Sequence, residues 1–88
     1  PSKEFGFVVC RAKDGRLVKG PVAWGDAISV SLPVQCPIES ELVASYHTHP
    51  GGRAYPSQTD VQSTLSMGID VLCVENDQEM RCYRIVKK

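Results

Sequence analysis

Only two histidines occur in the chain, and they stand two residues apart as His47-Thr48-His49. Residues at i and i+2 of a β-strand share a face, so a strand ending here turns both imidazoles toward one point. Seven residues, 50–56, then lead to Ser57-Gln58-Thr59-Asp60. A carboxylate in the first turn of a helix that folds back would complete a two-histidine, one-carboxylate donor set. Three protein ligands with one position open is the arrangement of catalytic zinc, where the fourth position holds water; structural zinc is usually closed by four ligands and favours cysteine. No cysteine lies between residues 47 and 60. The expected cofactor is therefore one Zn2+ with a bound water, held by His47, His49 and Asp60.

Plainer readings stand beside this one. The histidines can be an incidental pair. Ser57 followed by Asp60 is a capping box, which alone explains both residues, and ligation by Asp60 is compatible with it. In the loop, Arg53 and Tyr55 are either substrate contacts or merely exposed.

The elements that must position these groups follow from the flanking pattern. Residues 42–47 read as a strand ended by Pro50-Gly51-Gly52, and residues 57–67 as the one helix. Pro56 precedes that helix, Ser57 caps it, Val61 and Leu65 give it an apolar face, and Gly68 ends it. Upstream, residues 5–10 form a continuous apolar run, as in a strand buried on both faces. Asp14-Gly15 marks a hairpin, with residues 17–24 returning and Pro21 placing an edge or bulge in that return. Residues 27–32 alternate with period two as a third strand, and 33–40 is a loop. Residues 69–74 and 80–86 are expected as two further strands around a turn at 76–78. Trp24 reads as core or sheet cover. The sum is a single α+β domain over residues 1–88: a mainly antiparallel mixed sheet with one principal helix.

Composition narrows the function. Ten Lys plus Arg balance ten Asp plus Glu over 88 residues, so no net field draws the chain to nucleic acid or an anionic membrane. No apolar run approaches the ~18 residues of a membrane span, and no secretory leader is visible, so a cytoplasmic location is expected. The first residue is Pro1, which suggests a trimmed chain. The four cysteines, at 10, 36, 73 and 82, include no C-x-x-C. They read mostly as small buried apolar residues, although a 69–86 hairpin would set Cys73 nearly opposite Cys82, within reach of a bridge.

H-x-H, seven residues, then S-x-x-D resembles the signature of the JAMM (MPN+) metalloproteases. His47-Thr48-His49-Pro50 and Ser57-Gln58-Thr59-Asp60 carry it, with support from the 43–46 strand, Pro56, and the 72–74 strand after the helix. The resemblance is dense over residues 42–75. It implies a minimal JAMM/cytidine-deaminase-like core and a compact prokaryotic, archaeal or viral member, because there is no room for a second helix and no long insertion. It also implies a glutamate at the start of the first long strand, which Glu4 matches; Gly6 comes two residues later, where members commonly have a small residue at three. Glu39 and Glu41 are the competing candidates, and a charge at a trimmed terminus is the plain reading of Glu4. By resemblance, Glu4 takes the proton of the zinc-bound water and Ser57 donates to the tetrahedral oxyanion. The substrate so implied is a peptide or isopeptide amide at the end of a ubiquitin-like protein. The rival is a non-catalytic metal-binding module of a larger polypeptide, such as a phage-tail or toxin protein.

Overall fold

The computed structural model describes residues 3–25 and 32–86. Its elements in order are β1 (Phe5–Ala12), β2 (Leu17–Lys19), β3 (Ala23–Trp24), β4 (Ser40–Thr48), α1 (Gln58–Ser66), β5 (Val71–Glu75) and β6 (Met80–Arg84). They build a six-stranded sheet in the order β2-β1-β4-β5-β6, with β3 pairing to β1 as well. Every pairing is antiparallel except β4 with β5, which is parallel. Parallel neighbours cannot be joined by a tight turn, and α1 is the crossover between them. The fold is α+β, a mixed and mostly antiparallel sheet with one helix among the described residues.

Strand alternation separates the two faces of the sheet. Gly6 pairs with His47, Val8 with Ser45, Ser45 with Leu72 and His47 with Val74, so these residues share one face. Val8, Cys10, Leu72 and Val74 are fully buried there. The helix packs on this side, where the Thr64 hydroxyl lies 3.0 Å from that of Ser45. Thr64 is the buried residue of α1, while Val61 and Leu65, the expected apolar face, are only half-buried. A small hydroxyl that meets another across the interface lets the helix lie close on β4.

The opposite face corrects the first-strand expectation. Phe5, Phe7 and Val9 are half-buried while their neighbours along β1 are buried. Phe7 stacks on Tyr46 at 4.6 Å between ring centroids, and Phe5 lies 4.9 Å from the ring of Trp24. Among the described residues this face is shielded by its own aromatic rings, so the apolar run reflects ring-on-ring cover and not two packed layers. Trp24 is 68% exposed, sheet cover and not core.

The expected 17–24 return is two short strands, β2 and β3, because Pro21 has no N–H to give to a ladder. The expected third strand falls on residues 27–32, of which 27–31 lie outside the described residues; Leu32 is not in a strand. Helix ends match the local signals: Ser57 is the N-cap in a complete capping box, and Gly68 adopts φ 82° just beyond the last turn. The cysteine expectation is overturned. All four are paired, Cys73 to Cys82 and Cys10 to Cys36. The first pair sits directly opposite in the β5–β6 register, as the hairpin reading allowed. The second joins β1 to a loop, which no spacing rule could foresee.

Candidate metal centre

His47 is the penultimate residue of β4 and is 5% exposed; His49 follows the strand. Their Nε2 atoms lie 2.9 Å apart. Asp60 Oδ2 stands 3.0 Å from Nε2 of His47 and 3.2 Å from Nε2 of His49. Three donor atoms thus form a triangle with edges of 2.9–3.2 Å. Ligands of a tetrahedral zinc at about 2.1 Å lie roughly 3.4 Å from each other, so the triangle is slightly tight but of the right size.

Electrostatics point the same way. Nδ1 of His49 lies 2.9 Å from the carbonyl oxygen of Arg53. A carbonyl only accepts, so Nδ1 carries the proton, and in the neutral ring Nε2 presents a lone pair. That lone pair faces a carboxylate oxygen, and two acceptors at this distance are satisfied by a shared proton or by a metal ion between them. The backbone carbonyl behind the ring also fixes the tautomer that metal ligation requires. Burial pushes the Asp60 carboxyl up, but the hydrogen bonds from His47 and from Ser57 N–H outweigh it and hold the group well below the usual carboxylate range. Asp60 is therefore ionised, as a ligand must be.

The capping box and the donor set are one object. Asp60 Oδ2 accepts from Ser57 N–H at 2.8 Å, and Ser57 Oγ accepts from Asp60 N–H at 3.1 Å. The cap that starts the helix aims the carboxylate at the histidines. Ser57 itself is exposed, and its hydroxyl proton remains available to donate.

Glu4 lies just before β1 and is 5% exposed. Its carboxylate and the ring nitrogens of His47 and His49 fall within 4.8 Å of one another. Its backbone is set by Gly25, whose N–H donates to the Glu4 carbonyl at 2.8 Å, and by Thr48, whose hydroxyl accepts from Phe5 N–H at 3.0 Å. Gly6 permits the approach of β1 to β4, since a Cβ there would lie 2.4 Å from the Tyr46 carbonyl oxygen. Glu39 and Glu41 are at the far end of β4, exposed, and paired with Lys13 and Arg11.

Residues 50–56 are anchored by groups that sequence reasoning did not single out. His49 N–H donates to the Glu75 carbonyl at 2.8 Å, the Asn76 amide donates to the Gly52 carbonyl at 3.0 Å, and the Tyr83 hydroxyl donates to the Ala54 carbonyl. Asn76 carried only a turn signal and Tyr83 only a strand signal; their partners are backbone carbonyls, which leave no trace in residue type. Of the loop residues, Arg53 contributes its carbonyl, and Tyr55 is exposed with its ring edge-on to Tyr83.

A family model described as prokaryotic homologs of the JAB domain matches residues 6–86. The match takes in both histidines, Ser57 and Asp60, and begins two residues after Glu4. The comparisons with curated proteins and with solved structures returned no match.

Proposed function

The chain belongs to the prokaryotic JAB-domain homologs, and from that membership and the centre's geometry we propose that it is a zinc-dependent hydrolase of amide bonds. The observation that carries the reading is the meeting of two imidazole nitrogens and a carboxylate oxygen within 3.2 Å, with a buried second carboxylate beside them. His47, His49 and Asp60 would hold the ion. Bound there, zinc supplies Lewis acidity, drawing the pKa of coordinated water toward ~7 and polarising a carbonyl oxygen.

The chain's own groups do the rest. Glu4, buried and across from both histidines, accepts a proton from the attacking water and returns it to the leaving amine. Ser57 donates its hydroxyl hydrogen to the developing oxyanion while its oxygen still accepts from Asp60 N–H, so catalysis and capping do not compete. JAB-domain relatives include JAMM metalloproteases, and the substrate proposed with them is a peptide or isopeptide bond at the C-terminus of a ubiquitin-like protein. A cytoplasmic setting fits that substrate, while the two disulfides favour a more oxidising one.

One observation favours the second reading, a non-catalytic module of a larger assembly: the aromatic face of the sheet is only half-buried among the described residues. A single experiment separates the two. Zinc-loaded protein is incubated with a ubiquitin-like protein carrying a C-terminal amide extension, beside Glu4→Gln. Wild-type cleavage that drops at least ~100-fold in the variant, with zinc content unchanged, supports the hydrolase. Zinc retained with no cleavage by the wild type supports the module.

A further inference from the structure

A second cleft, of about 500 Å³, opens at the same end of β4 as the histidines but on the other face of the sheet. Thr48, the residue between the two histidines, and Pro50 form its inner wall. Its sides are the rings of Phe5, Trp24 and Tyr46, and its rim carries the carboxylates of Glu75 and Asp77. Lys3 also lines it, which leaves the charge of the lining at minus one.

We infer that this cleft receives an arginine side chain of the substrate chain, its guanidinium stacked on Trp24 and Phe5 and paired with Glu75 and Asp77. The purpose rests on the amide-hydrolase reading, since Thr48 and Pro50 put the cleft one residue from the metal ligands; the recognition chemistry does not.

Three observations converge. Trp24 is 68% exposed although its ring packs on Phe5 at 4.9 Å, so a wide aromatic surface is offered to solvent beside two carboxylates. An aromatic surface with a negative rim suits a cation with a flat face. The same sheet face already uses this interaction: Lys19 Nζ sits 5.5 Å from the centroid of Phe7, which stacks on Tyr46. The Glu75 carboxylate is also held in place in the cleft, where it accepts from the Tyr46 hydroxyl. Guanidinium fits better than ammonium because it stacks while its edge pairs with carboxylate. Lys3 is a competing internal cation, so the ligand displaces it toward solvent.

Trp24 is the only tryptophan and so reports on its own cleft. Emission is followed while the peptide acetyl-Gly-Arg-Gly-amide is added, with citrulline in place of arginine as the neutral isostere. The expected result is a saturable change in the millimolar range with arginine and none with citrulline, weakened by salt. Glu75→Gln and Asp77→Asn should each raise Kd about two- to fivefold, the range of an exposed charge pair. The amide oxygen that Glu75→Gln leaves in place can still accept from the Tyr46 hydroxyl, so the wall survives. Equal responses to arginine and citrulline, or no response to either, would overturn the assignment using wild-type protein alone. So would unchanged Kd in both folded variants. Zinc content is measured on the same samples. Arginine binding without amide cleavage leaves the cleft and removes the hydrolase; cleavage without arginine binding does the reverse.

Discussion

The two ends of β4 carry similar residues and do different things with them. At the start, Glu39 and Glu41 meet Lys13 and Arg11 in the open, with side chains 51–76% exposed. At the finish, Glu4 and Asp60 meet His47 and His49 where exposure falls to between 5% and about 21%. Exposed pairs exchange water for one another at little gain, about 0–1 kcal/mol. Buried polar groups that converge have lost most of their water, so each must be met by a partner or an ion. Burial and convergence, and not the number of charges, separate a candidate centre from a decorated surface.

The largest expected effect lies at the finish of the strand. Replacing both His47 and His49 with alanine should take zinc from near one equivalent to none by elemental analysis, because one carboxylate cannot hold the ion alone. Full zinc occupancy in that double variant would erase the contrast between the ends.

At the start of β4 the restraint is covalent. Cys10 pairs in register with Leu42, and its bridge to Cys36 spans 26 residues. Replacing both cysteines with alanine should cost about 3–3.5 kcal/mol in chemical denaturation, by loop-closure entropy. Zinc content should stay as it was. Zinc lost together with the bridge, in protein that is still folded, would show that the two ends are not independent.

A smaller effect tests the joint between cap and centre. Ser57→Ala should cost about 1 kcal/mol of stability through the lost acceptor for Asp60 N–H. Zinc should remain, because alanine keeps the backbone N–H that Asp60 Oδ2 accepts at 2.8 Å. Turnover should fall about a hundredfold if the hydroxyl serves the oxyanion. The smallest effect is Glu41→Gln, expected to move stability by no more than ~0.5 kcal/mol and turnover by less than twofold. A large loss of activity there would transfer the base from Glu4 to this end.

Much of the centre was legible before any fold was known. Strand periodicity put His47 and His49 on one face, and the capping box started the helix at Ser57 with Asp60 in its first turn; both are rules of a few residues, so residue types carry them. The 73–82 pairing was legible for the same reason, through a hairpin with a short turn. The sequence alone also marked Gly68 as a helix end and residues 14–15 as a turn, where backbone geometry demands it.

What only the tertiary structure decided are relations across distance. Glu4 reaches the histidines because β1 pairs with β4 in a register that brings Gly6 beside His47, and no local rule links position 4 to position 47. Cys36 finds Cys10 because a loop lies against β1, and the loop of residues 50–56 is held by Asn76 and Tyr83 through backbone carbonyls. The half-exposed aromatic face escaped a reading of hydrophobic runs, since an apolar run records affinity for cover but not what supplies it. Residue type and spacing select the local chemistry; sheet register and burial decide which distant groups share it.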